Sequence, residues 1–323
     1  MSERRPTHQG TLDAARAVSL ILRMTPLLPV EIGGVSCCVK AENLQPIGAF
    51  KIRGAWWRLS NLTRAERAAG VVAVSSGNHA QGVAWAARRL GIAATIVMPR
   101  DAPAVKLENT RALGADVVLY KRAPKDQGGE DRDEVAARLI EERGGTLVHA
   151  FGDPWVIEGQ GSAGVELTQQ IGLGGPSRII TCCGGGGLAA GLALACPDAA
   201  IHVVEPQGWD MVGQALATGA IVQAPHDAPA TICDALQPTA TKPINLETLL
   251  GRAEPGLTVT DDEVRAAQLW AFARLQMVLE PGGAAALAAA LAGKVELDER
   301  SVIILSGGNA DPVAFAETIR ARA

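Results

Sequence analysis

The chain has 323 residues, 48% hydrophobic and 20% charged, which is enough apolar mass for about two domains and too much for a disordered chain. Thirty Lys and Arg against 34 Asp and Glu leave a net charge of -4, without the basic footprint of a nucleic-acid binder. With 4 Phe, 6 Trp and 1 Tyr, it also lacks the aromatic platform on which single-stranded bases stack.

The first periodic stretch, Thr11 to Arg23, is amphipathic, and its apolar run is too short for a signal-peptide core. From about residue 70, β-branched runs alternate with helical periodicity. Strands are predicted at 71–74, 94–98, 116–120, 146–149, 178–181, 201–204 and 301–305, with helices over 80–90, 106–113, 131–142, 157–171, 262–276 and 283–291. Strands without polar alternation, joined by helices, indicate an α/β fold with parallel sheets flanked by helices. The longest uncharged stretch, Ile179 to Pro197, is interrupted by Gly184 to Gly187, and predicts a strand, a loop and a helix rather than a membrane span. Gln223 to Pro243, rich in Pro, Ala and Thr, reads as a surface excursion. The cysteines at 37, 38, 182, 183, 196 and 233 match neither a disulfide framework nor a zinc site. Reduced thiols in a cytoplasmic protein are expected.

Ligands of such sheets bind at the C-terminal edges of the strands, where glycine-rich turns open onto helices. Three turns qualify: Ser75-Ser76-Gly77-Asn78-His79, Gly184 to Gly187, and Ser306-Gly307-Gly308-Asn309. Four successive glycines between a strand and a helix can turn several N–H groups on one anion, with the helix dipole behind them. Gly184, Gly186 and Ala189 also fit a degenerate dinucleotide fingerprint, with Glu205 as the ribose acid. That nicotinamide-dehydrogenase alternative places the fingerprint in mid-chain and leaves the other two turns without a role. Lys51, between Phe50 and Ile52, is a candidate for a desolvated amine nucleophile. An amine, an anion-binding glycine loop and polar turns around one cleft describe a pyridoxal phosphate (PLP) site.

The motifs Gly48-Ala49-Phe50-Lys51-Ile52-Arg53-Gly54-Ala55, Ser75 to Gly82, Gly184 to Leu188, Leu279-Glu280-Pro281 and Ser306 to Asn309 run in order across the chain. Together they resemble the fold type II PLP enzymes of the serine/threonine dehydratase and serine racemase family. The resemblance implies a two-domain, tryptophan synthase β-like fold, with a large PLP-binding domain of residues 1–68 and 150–323 and a small domain of 69–149.

The resemblance further implies that Lys51 forms the Schiff base and takes the Cα proton, and that Phe50 packs near the cofactor ring. Asn78 would bond the ring 3-hydroxyl, Gly184, Gly185, Gly186 and Gly187 the phosphate, and Ser306 the pyridine nitrogen. Glu280 would line the pocket. Ser75, Ser76, Gly77, Asn78 and His79 would bind the substrate carboxylate. The implied reaction is dehydration and deamination of a small β-hydroxy-α-amino acid (threonine, serine or 3-hydroxyaspartate) to a 2-oxo acid and ammonia. Ser76 stands where racemising members carry their second acid/base, so racemisation is the alternative. Ala49 replaces a serine common in the family. Some members bind Mg or Ca at a Glu-Pro segment; Glu205-Pro206 matches, but Met211 occupies the second acid's position and Asp210 falls one residue early. A homodimer is the family expectation. The chain stops soon after Ser306 to Asn309, so the C-terminal regulatory domain of biosynthetic threonine dehydratases is expected to be absent. The side-chain pocket is expected within Ala150 to Trp155 and Ile232 to Gln237.

Overall fold

A computed structural model describes residues 4–102, 104–121 and 128–321. Its strands are β1 (Leu27–Ile32), β2 (Val35–Ala41), β3 (Val71–Val74), β4 (Ala94–Pro99), β5 (Asp116–Tyr120), β6 (Thr146–Leu147), β7 (Arg178–Cys182), β8 (Ala200–Pro206), β9 (Leu257–Val259) and β10 (Ser301–Leu305). They form a six-stranded sheet in the order β1-β2-β10-β7-β8-β9 and a four-stranded sheet in the order β5-β4-β3-β6. All neighbours pair in parallel except β1 and β2.

The central strands are the unbroken apolar runs. Every residue of β10 is buried, and so are four of the five in β7, as sheets covered on both faces require. The β1–β2 hairpin departs from the expected all-parallel pattern. Gly33 and Gly34 link Ile32 to its partner Val35 with φ of +60° and +80°, the two-residue turn that only left-handed backbone closes. Pro29 is tolerated because β1 is an edge strand.

The helices begin largely where polar caps place them. Asp153 accepts from the amides of Trp155 and Val156 ahead of the helix Pro154–Ile171, and Thr260 with Glu263 forms a capping box before Asp261–Leu275. The Ile179 to Pro197 stretch resolves into β7, the glycine turn and the helix Gly187–Ala195. Among the described residues no helix is long and apolar enough to cross a membrane. All six cysteines are free.

Gln223 to Pro243 is not a mere surface excursion. Cys233 and Leu236 are buried, and residues from Asp234 to Lys242 wall a cavity. The segment lacks periodicity because it follows the rim of a site rather than crossing a core.

Candidate active site

A cavity of ≈570 Å³ opens where the C-terminal ends of β3 and β6 face those of β7 and β10. Lys51, the first residue of the helix Lys51–Ser60, lines it. Its Nζ donates to the Ala150 carbonyl at 2.8 Å and lies 5.1 Å from the centre of the Phe50 ring. Burial lowers its pKa to about 8, because a low-dielectric wall penalises the ammonium form.

The turn before Lys51 is zipped to the loop after β10. Phe50 N donates to Ser306 O at 3.1 Å, Gly308 N donates to Gly48 O at 2.8 Å, and Ala49 bridges Gly307. This contact starts the helix, since Phe50 caps it with no side-chain bond. Ser306 Oγ accepts from the Cys182 thiol at 3.0 Å. Burial pushes that thiol up to about 11, so it stays protonated as the donor and leaves the Ser306 hydroxyl hydrogen to point elsewhere.

Asn78 opens the helix Asn78–Leu90. Its Nδ2 donates to Glu280 Oε1 at 2.5 Å, and its Oδ1 accepts from Asn309 Nδ2 at 2.7 Å. Burial raises Glu280 to about 7. A Cβ at position 307 would collide with Glu280 Oε1, so only glycine lets this carboxyl reach Asn78. Ser75 Oγ accepts from Gly77 N at 3.2 Å, and Ser76 and Gly77 line the cavity. His79 bonds Val148 O through Nε2 at 2.8 Å, while its buried Nδ1 meets no partner among the described residues. Burial, with Lys51 nearby, drives its pKa to about 3, so the ring is neutral.

Gly184 to Gly187 lie between β7 and the helix Gly187–Ala195. Gly186 has φ of +89°, and a Cβ on Gly185 would run into the Phe151 ring. Thr241 Oγ1 holds the loop by donating to Gly185 O at 3.0 Å. The result is a bare backbone cradle at a helix N-terminus, suited to an oxyanion such as phosphate.

Glu205 lies outside this cavity. It is fully buried, and its oxygens accept from Val212 N at 3.0 Å and Gly213 N at 2.8 Å. Burial pushes it up to about 8 despite those donors. Asp210 instead accepts from Gln214, and Met211 is buried. One carboxylate already satisfied by amides does not fit a magnesium or calcium ion, which needs several free oxygens. Among the described residues no cluster of three His, Cys, Asp or Glu could hold a metal. The same capping denies Glu205 the ribose role of the dinucleotide alternative.

The cavity also gathers residues with no motif of their own. Ala150 anchors Lys51, Phe151 backs the glycine loop, and His149 and Lys242 line the wall. Of the expected side-chain pocket, Ala150, Phe151 and Asp234 to Gln237 reach the cavity. Trp155 instead stacks under Arg4 and Arg58.

The family model described as "Pyridoxal-phosphate dependent enzyme" matches residues 18–307. L-threo-3-hydroxyaspartate ammonia-lyase of Pseudomonas sp is 40% identical over 293 residues, which are 89% of this chain and 89% of that protein. Serine racemase of Schizosaccharomyces pombe is 36% identical over 321 residues, 96% of each. The crystal structure of a T.th. threonine deaminase superposes with a TM-score of 0.86 at 38% identity, covering 95% of this chain and 99% of that one. With its two parallel sheets, its glycine cradle and likeness along nearly its whole length, the chain belongs to the pyridoxal-phosphate dependent enzymes, in the fold type II family of serine/threonine dehydratases and serine racemases.

Proposed function

We propose that the chain dehydrates and deaminates small β-hydroxy-α-amino acids to 2-oxo acids and ammonia. The observation that carries this reading is the Lys51 amine, softened by burial, held in one cavity with the glycine cradle and Ser306. The residues fit pyridoxal phosphate. Gly184 to Gly187 would take its phosphate, Phe50 would flank its ring, Asn78 would bond its 3-hydroxyl, and Lys51 would hold its aldehyde carbon. When bound, the cofactor supplies an electron sink for charge developing at the substrate Cα.

The chain's own residues supply the rest. Ser306 would offer a neutral hydroxyl to the ring nitrogen, since its partner is a protonated thiol rather than a carboxylate. A neutral partner would leave the cofactor a milder electron sink, which suits loss of the β-hydroxyl. Ser75 to His79 would orient the substrate carboxylate at the start of the helix Asn78–Leu90, and the Lys51 amine would take the Cα proton. The water lost with the β-hydroxyl is regained when the nitrogen leaves by hydrolysis, so substrate yields 2-oxo acid and ammonia with no other reactant.

Racemisation is the second reading. Ser76 lines the cavity and its hydroxyl makes no hydrogen bond among the described residues, which leaves it available as an acid/base; serine racemase of Schizosaccharomyces pombe is among the relatives. The same proposal takes residues 69–149 as a smaller domain, supported by a four-stranded sheet built wholly from β3 to β6, and the enzyme as a homodimer in the cytoplasm.

Borohydride reduction of the PLP-loaded protein, peptide mass spectrometry and a 2-oxo acid screen over β-hydroxy amino acids test the proposal. A pyridoxyl group on Lys51 and a 2-oxo acid product support it. Labelling elsewhere, or cofactor binding without any 2-oxo acid, overturns it.

A further inference from the structure

β7 and β10 run side by side in parallel, and the register that pairs Ile303 with Ile180 brings their C-terminal ends together. Cys182 closes β7 and Ser306 follows β10, so their thiol and hydroxyl meet 3.0 Å apart, and both residues line the cavity. The backbone of Ser306 is held on two sides. Its N–H donates to Gly283 O at 3.3 Å and its carbonyl accepts from Phe50 N at 3.1 Å, which fixes the point from which the hydroxyl reaches.

The pair carries two hydrogens and must place both. Among the described residues the thiol has no hydrogen-bond partner except Ser306 Oγ, and it lies in a buried cluster with Ile180, Leu279 and Leu305, whose side chains offer no acceptor. Glu280, whose charge reaches this thiol, takes its hydrogen bond from Asn78 instead. Burial keeps the thiol protonated. If Ser306 donated to the sulfur, a weak acceptor, the S–H would be left with nothing to bond. The arrangement that serves both hydrogens has the S–H donating to Oγ and the O–H pointing into the cavity, where the group it meets must be an acceptor.

We infer that Cys182 is a positioning residue: its S–H, donated to the Ser306 oxygen, turns the hydroxyl hydrogen on the cofactor's ring nitrogen, keeps that nitrogen unprotonated, and so biases the enzyme toward elimination over racemisation. The inference rests on the dehydratase reading. An unprotonated ring draws charge from the substrate Cα less strongly than a protonated one. Racemisation needs that charge to last until a proton arrives on the other face, whereas elimination discharges it at once into the breaking C–O bond. A serine hydroxyl both donates and accepts, so Ser306 alone does not decide between the two ring states; its thiol neighbour does.

The wild type and its Cys182→Ser, Cys182→Ala and Cys182→Asp variants are loaded with PLP isotopically labelled at the ring nitrogen, which is followed by NMR across pH without substrate. L-Serine is then supplied, and the D-serine and 2-oxo acid formed are measured. Cys182→Ser keeps a donor in place and should match the wild type, with the nitrogen unprotonated at neutral pH. Cys182→Asp offers an acceptor, so Ser306 donates to it and turns its oxygen to the ring. The nitrogen should then be protonated, and the ratio of D-serine to 2-oxo acid should rise about tenfold or more, the worth of one hydrogen bond to a charged group. Cys182→Ala only removes the donor; it should raise the pH at which the nitrogen protonates, and it decides the matter if the aspartate variant does not fold. A protonated ring nitrogen in the wild type overturns the inference. So does a nitrogen titration in Cys182→Ala identical to wild type, or a protonated ring with an unchanged product ratio. If the wild type forms no 2-oxo acid from any β-hydroxy amino acid, the dehydratase reading fails instead, and the nitrogen signal still decides what Cys182 does to Ser306.

Discussion

Asn309 donates through Nδ2 to the Oδ1 of Asn78 at 2.7 Å and to the Ile47 carbonyl at 2.9 Å. Asn78 is thus gripped from both ends, with Glu280 taking its amide. Replacing Asn309 by alanine frees the Asn78 side chain to rotate. It should weaken PLP binding about tenfold and cost about 1 kcal/mol of stability, read by spectral titration and denaturant melts; cofactor affinity equal to wild type would show that Asn78 needs no such grip.

The pH behaviour of Lys51 follows from its burial. With a pKa lowered to about 8, the amine is mostly protonated and unreactive below that value and free above it. Labelling of the apo-protein at Lys51 by an amine-acylating reagent, quantified by peptide mass spectrometry, should rise with pH and level off just above 8. Surface lysines should continue to rise through about 10.4.

Under the same helix lies a fully buried ion network. Arg53 donates to both oxygens of Glu42 at 2.7 and 2.8 Å and to both oxygens of Glu166 at 2.7 and 2.8 Å, while Lys40 donates to Glu166 at 2.7 Å. Arg53→Met strands two carboxylates and should cost about 3–5 kcal/mol. Arg53→Lys should restore little, because an ammonium cannot serve two carboxylates side by side. Burial alone would raise Glu42, but Arg53, Lys40 and Thr25 together bring it below the usual carboxylate range. Its contribution is therefore full above its unfolded pKa of about 4.3 and is lost as pH falls through the lower folded value. Denaturant midpoints measured down the acid limb should be flatter in Glu42→Gln.

Gly185→Ala drives a methyl group into the Phe151 ring. Overpacking of this kind costs about 1–3 kcal/mol, and here it also bends the cradle, so PLP affinity should collapse. Phe151→Ala in the same chain should recover part of it; a double variant no better than the single one would place the damage elsewhere.

Removing divalent ions should change neither the melting temperature nor 2-oxo acid formation, because the amides of Val212 and Gly213 already satisfy Glu205. Calorimetry with and without chelator checks this, and a chelator-dependent fall in melting temperature would contradict it.

The strands at 71–74 and 301–305 were legible because each is an almost wholly apolar run that the fold buries, and 116–120 because Val117 to Tyr120 are apolar, although that strand lies at a sheet edge and is only partly buried. The motif residues were legible because glycines and amides at strand ends have few other uses. The helix Lys51–Ser60 was not, since it has no capping side chain and starts where Phe50 N meets Ser306 O, a contact from the far end of the chain. The β1–β2 hairpin hid behind Pro29 and the paired cysteines. His149 and Lys242 carry no pattern at all: a histidine beyond a two-residue strand and a lysine before Pro243 become neighbours only across Gly152. Glu205 is ambiguous in sequence for the opposite reason, because its Glu-Pro context is shared by a carboxylate that folds inward to cap a helix.

The zipper between residues 48–50 and 306–308 also sets an order of events during synthesis. A nascent chain carries Lys51 early, yet the loop after β10 that fixes this lysine's helix and supplies Ser306 emerges only after the small sheet and the glycine loop. Both halves of the small sheet and the glycine loop are finished before the amine has its final seat. A chain that stops short of β10 would thus carry the reactive lysine without the contact that seats its helix.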